Sequence, residues 1–201
     1  MTAELTVAAA KRPGAVILAR HGEPALSRKV RLSSDGYRQF WAQYEVGGLR
    51  AGQTPPAALQ AMAADAAVLL ASTRLRSIES AEALALGRTF AREDILIEAP
   101  LPPPNLPAWI RMSPSKWGFF TRFCWWYFNH HAGEENRRQA EARADRAAQM
   151  LADLATQGGD VLVLAHGFFN FMIGRSLRRM GWNMTNTQGF KYWSVRRFER
   201  V

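Results

Sequence analysis

Three five-residue runs constrain this chain more than anything else in it. Ala15-Val-Ile-Leu-Ala, Val68-Leu-Leu-Ala-Ser and Val161-Leu-Val-Leu-Ala are apolar with no alternation. A strand with one face in water alternates, whereas a strand covered on both faces reads as a continuous apolar run. Helical patterns separate the runs. Tyr37-Arg-Gln-Phe-Trp-Ala-Gln-Tyr is helix-compatible, and Pro56–Ala64 reads as a short Ala-rich helix. Ser77–Phe90 carries Ile78, Ala81 and Ala85 on one stripe. Glu134–Thr156 sets Ala140, Ala144, Ala147, Leu151 and Leu154 on one face and stops at Gly158-Gly159. A helix over about Phe169–Arg179 follows the third run. This alternation predicts an α/β fold, a three-layer sandwich whose mostly parallel central sheet is flanked by helices on both faces. Ile95–Ile97 reads as a further short strand, and Phe190–Phe198 as a last, partly exposed one.

With 201 residues, 48% of them apolar, the chain can bury one substantial core, so 1–201 is expected to be a single domain. The segment around 100–133 stands apart. Pro100 and Pro102–Pro104 impose an extended loop, and Trp117–Phe128 is mostly aromatic. This segment reads as an insertion, with two alternatives for its role. It caps the functional site and forms an apolar wall, or it is exposed and forms a homodimer or membrane-surface contact, against the plain reading that it is core. No run is long enough for a transmembrane segment. The N-terminus, with an early acid and a short apolar stretch, does not read as a secretory signal. A single cysteine, Cys124, excludes an internal disulfide framework, and a cytoplasmic protein is expected. The formal net charge of +9 favours anionic partners. Zinc-finger spacing, heptads and a basic tail are all missing, so there is no specific nucleic-acid signal and a small anionic ligand is the simpler expectation.

In open α/β sheets, function sits outside the carboxyl ends of the strands. Those ends read Arg20-His21-Gly22, Ser72-Thr73-Arg74 and His166-Gly167. An arginine fork suits phosphate oxygens, and two would stabilise charge developing on a phosphoryl group. A neutral histidine whose far nitrogen is held by a hydrogen bond can attack phosphorus, and a second can donate to the phosphoryl oxygens. Four basic groups around one anion leave no need for a metal or other cofactor. His130-His131, beside Glu134 and Glu135, is the one metal-like cluster. Chain neighbours seldom ligate one ion in a helix or strand, so no metal site is expected.

Arg20-His21-Gly22-Glu23, Ser72-x-Arg74 and His166-Gly167, each at a strand end and in this order, resemble the histidine phosphatase superfamily, also called phosphoglycerate mutase-like. Leu32-Ser33-x-x-Gly36 is similar to the family's stretch before its first helix. The resemblance implies a mixed sheet, with Phe190–Phe198 or Ile95–Ile97 breaking the parallel order. It also implies a metal-independent phosphatase acting on a phosphate monoester through a phosphohistidine. In that scheme His21 is the nucleophile, and Arg20, Arg74 and His166 form the phosphate pocket. The family's Glu-Gly segment is missing after the third strand, which leaves Glu98 as the leading general acid and Glu134 and Glu135 as secondary ones. Arg28, seven residues after His21, either folds over the pocket to read the substrate body or is ordinary surface; Arg76 is not assigned to the pocket. A phosphoryl mutase and a non-catalytic phosphate-binding protein are the alternatives.

Overall fold

The computed structural model describes residues 13–200, so the reading of the N-terminal residues as no secretory signal lies outside the described part. Six strands form one mixed sheet: β1 (Val16–Arg20), β2 (Val68–Ser72), β3 (Ala91–Glu93), β4 (Val161–Ala165), β5 (Asn183–Thr187) and β6 (Val195–Glu199). Their order is β3-β2-β4-β1-β6-β5. β1 through β4 pair in parallel, and β6 runs antiparallel to β1 and to β5. Six helices accompany them: α1 (Ser34–Val46), α2 (Ala57–Asp65), α3 (Leu75–Ala85), α4 (Pro114–Phe128), α5 (Arg137–Thr156) and α6 (Gly167–Arg179).

The apolar runs become the central strands because both their faces are covered. Val16, Leu18, Val161 and Val163 pack with α5 and α6, while Ile17, Ala19, Leu162 and Leu164 pack with α2 and α3. The period of two thus divides each run between two cores. A third cluster, Tyr37, Phe40, Tyr44 and Trp117, joins α1 to α4. α5 begins with a reciprocal capping box: the Asn136 side chain accepts from the Gln139 amide, and the Asn136 amide donates to the Gln139 side chain. None of the described helices is long and apolar enough to cross a membrane.

Three sequence expectations need correction. Ile95–Ile97 is no strand: Asp94–Leu96 is a 3₁₀ turn, and the strand lies upstream at Ala91–Glu93. The Ile95 and Ile97 carbonyls accept from the Arg143 guanidinium at 2.9 and 2.8 Å, so a side chain replaces the ladder there. α3 stops at Ala85 instead of Phe90, because Leu86 and Gly87 both take positive φ. The last strand begins only at Val195. Trp193 has φ +61°, which ends extended backbone before it.

Candidate active site

β1 and β4 are adjacent and in register, with Arg20 beside Ala165. His21 and His166 therefore leave the sheet side by side, and the His21 amide donates to the Ala165 carbonyl at 3.0 Å. The two imidazoles meet edge to face, with ring centroids 5.2 Å apart, and both are buried.

The ring orientations fix the tautomers. His21 Nδ1 lies 2.7 Å from the Gly22 carbonyl oxygen. A carbonyl only accepts, so Nδ1 carries the proton and Nε2 keeps its lone pair. His166 Nδ1 faces an Arg76 donor at 3.4 Å, and its Nε2 faces Ser72 Oγ at 2.9 Å. Nδ1 of His166 is thus the acceptor, and its Nε2 donates. Burial, followed by the charges of Arg76 and Arg20, holds the His21 pKa well below the ordinary histidine value. Burial, then Arg76 and the neighbouring His21, does the same to His166.

Gly22 secures the turn. Its amide donates to Ser80 Oγ at 2.9 Å, and a Cβ there would lie 2.4 Å from the Trp193 ring. At this close approach of backbone to indole only glycine fits.

The histidines line a cavity of about 440 Å³ shared with Arg20, Arg28, Arg76 and Arg122. Each of these four arginines, like Arg74 outside the cavity, has a buried Nε that meets no acceptor among the described residues. Arg20 lies over the Tyr192 ring and donates to the Phe190 carbonyl. Arg76 is fully buried; it donates to the Tyr44 carbonyl at 2.8 Å and pairs with Glu45 at 3.0 Å. Arg28 approaches the Tyr44 ring, and Arg122 the Phe168 ring at 5.0 Å. Burial lowers the Arg122 pKa, partly offset by Glu98.

Arg74 stands elsewhere. It ion-pairs with Glu45 at 2.7 Å and lines a neighbouring cavity of about 790 Å³ that contains neither histidine. The larger cavity is not the one that holds the basic cluster. The arginine beside both histidines is Arg76, two residues further on. Arg76, Ser77, Ser80 and Ala81 form the buried side of α3. A lone arginine on a face of small residues was the available signal for it. Arg122 had none, being one cation in an aromatic run.

Glu98 is nearly buried and lines both cavities. Its carboxyl accepts from the Phe169 amide at 2.8 Å and the Phe168 amide at 3.4 Å, at the start of α6, with Arg122 3.8 Å away. A carboxylate suits a helix N-terminus. Glu135 is held by a two-point ion pair with Arg143 at 2.7 and 2.8 Å. Glu134 lines the larger cavity and not the one that holds the histidines, its pKa raised by partial burial and then by Glu45. His131 Nδ1 faces the Glu134 carbonyl, and no three His, Cys, Asp or Glu side chains among the described residues group as a metal site.

α4 divides its aromatic residues between two sides. Trp117 and Trp125 are buried, with Gly118 and Phe119 along the wall of the histidine cavity. Phe119, Phe123, Tyr127 and Phe128 are exposed.

A family model described as the histidine phosphatase superfamily, branch 1, matches residues 16–200. Solved structures share the fold at low identity. The product of an open reading frame of Mycobacterium tuberculosis is 16% identical, with 94% of this chain and 97% of that chain covered and a TM-score of 0.56. A phosphoglycerate mutase from Bacillus anthracis is 15% identical, covering 94% and 88%, with a TM-score of 0.57. An ecdysone phosphate phosphatase from Bombyx mori, solved with tungstate, is 18% identical, covering 90% and 87%, with a TM-score of 0.52. No curated protein matches the sequence.

Proposed function

The chain belongs to the histidine phosphatase superfamily and is a phosphatase or phosphoryl-transfer enzyme of that type; from this premise we propose that it hydrolyses a phosphate monoester, with His21 as the nucleophile. One observation carries the assignment. Four arginines line one cavity with two neutral histidines, and each keeps a buried Nε–H without an acceptor among the described residues. Unpaired buried donors are costly, and a phosphoryl group with several acceptor oxygens would satisfy them.

In this reading, His21 Nε2 attacks phosphorus while Nδ1–H stays bonded to the Gly22 carbonyl. The phosphorus–oxygen bond to the alcohol breaks as the nitrogen–phosphorus bond forms. Arg20 and Arg76 stabilise the equatorial oxygens, and His166 joins them when its Nε2–H turns from Ser72 Oγ to the phosphoryl group. Glu98, protonated when the ester is bound, hands its proton to the departing oxygen, and the resulting carboxylate takes a proton from the water that then attacks phosphorus and frees His21. Arg74 reaches the site through Glu45, which it shares with Arg76, and through its charge, a lesser cause of the low His166 pKa. Charge is supplied by side chains, so no metal takes part. α4 serves as a cap, closing one side of the cavity with Gly118, Phe119 and Arg122. A cytoplasmic setting belongs to the same reading, resting on the single cysteine.

The role of Glu98 has a direct test. In the presence of a chelator, the protein should turn over both p-nitrophenyl phosphate and an alkyl phosphate. Glu98→Gln should leave the first within a few-fold, since p-nitrophenolate departs unaided. It should slow the second by about 10²–10⁴-fold, the usual worth of a general acid. Equal losses on both substrates would remove Glu98 from the acid role. Loss of all turnover in the wild-type protein on chelation would overturn the metal-free mechanism.

A further inference from the structure

The outward side of α4 is not used by the chemistry above. Of the six exposed aromatic side chains among the described residues, four stand on this one helix: Phe119, Phe123, Tyr127 and Phe128. Phe119, Phe123 and Tyr127 recur every four residues, which stacks them along one face. The Phe123 ring lies 5.0 Å from that of Tyr127 and 5.7 Å from that of Phe128, so these three rings form one patch, with Phe119 one turn before it. Exposed aromatic patches of this kind mark an interaction surface.

Charge identifies what covers it. Residues 99–133 contain no Asp or Glu, and residues 24–34 contain none either. The two segments are joined at the base of α4 by the Leu32–Met112 bridge and by Arg31, which donates to the Arg111 carbonyl at 3.0 Å. Lys29, Arg31, Arg111 and Lys116 are exposed there. Lys116 lies in the first turn of α4, on the same side as the aromatic stripe. A second copy of this chain would bring no Asp or Glu from these segments to meet them. An anionic bilayer offers both complements: phosphate for the cations and a headgroup boundary where aromatic rings settle. α4 is too short to span a bilayer but suits lying in its surface.

We propose that the outer face of α4 docks the protein on an anionic lipid bilayer and that its substrate is an amphiphilic phosphate monoester presented from that surface. Phe119 belongs both to the exposed stripe and to the wall of the histidine cavity, and exposed Phe190 lines the same cavity. Docking therefore brings an apolar mouth to the lipid while the arginines wait inside for the phosphate. The substrate half rests on the phosphatase reading; the docking half does not.

The test is sedimentation of the full chain with vesicles of phosphatidylcholine, alone or with phosphatidylglycerol, for wild type and the Phe123→Ser, Tyr127→Ser double variant. Neither residue lines the catalytic cavity. The wild type should sediment only with the anionic vesicles, and the variant should bind them about tenfold more weakly, as expected when interfacial apolar area is lost. Turnover of dodecyl phosphate carried in those vesicles should fall in parallel, with p-nitrophenyl phosphate in solution unchanged. No sedimentation, or equal sedimentation of both proteins, would overturn the docking. So would a dimer that the double variant abolishes, since the stripe would then belong to a second copy. Vesicle binding without turnover of either ester would uphold docking and overturn the phosphatase reading with the substrate class built on it.

Discussion

A buried donor left unmet is costly, and the cavity around His21 holds four arginines whose buried Nε–H meets no acceptor among the described residues. Arg76 is the most constrained of them. It touches Glu45, the Tyr44 carbonyl and His166 at once, and its charge is the second cause, after burial, of the low pKa of both histidines. Arg74, two residues earlier, is a third exposed and meets Glu45 alone. Replacing each by lysine should separate the two. Arg76→Lys should lower kcat/KM by about 10²-fold or more, the scale of losing one aligned donor to a developing charge. Arg74→Lys should change it by less than about threefold, because a half-exposed ion pair contributes little. The reverse ranking would return the phosphate to Arg74. His21, His166 and Arg20 were readable at strand ends. Arg76 was harder, since a strand end points to the first arginine after it and only helical phase points to the second.

Elements, more than single residues, place the site. Parallel β1 and β4 deliver two histidines together, and α3 lays Ser80 and Arg76 under the turn that follows β1. That turn is tight. Gly22→Ala would press a methyl group into the Trp193 ring, and it should cost about 1–3 kcal/mol, as overpacking does, in the urea unfolding midpoint. An unchanged midpoint would show that the loop before β6 gives way freely. The three central strands could be read from apolar runs and the last strand from alternation, while a break in the parallel order, at β6 or at Ile95–Ile97, was implied by the family resemblance alone. The edge strands could not. β3 holds Ala91, Arg92 and Glu93, and β5 is exposed along its whole length. Strands this short and polar carry no burial pattern and are held by the neighbouring ladder alone. α4 was hidden for a different reason: an aromatic run buries one side and exposes the other, so its apolar residues show no single face.

At the scale of the whole molecule, two neutral histidines buried among arginines make stability depend on pH. Their folded pKa values lie below the ordinary 6.5 of the unfolded chain. Below about pH 6.5 the unfolded chain takes up protons that the fold refuses. Their contribution is therefore constant above that pH, and stability falls as the pH drops, by about 1.4 kcal/mol per unit for each histidine. His21→Asn should reduce the slope of the urea midpoint between pH 6.5 and 5; an identical slope would mean that His21 is protonated in the fold. The central claim is chemical, and rapid-quench labelling tests it most directly. The protein is mixed with a radiolabelled phosphate ester in the presence of a chelator, and wild type is compared with His21→Ala. The account predicts acid-labile, base-stable label on the wild type alone. Equal labelling of both proteins would contradict it, and so would turnover by His21→Ala at the wild-type rate.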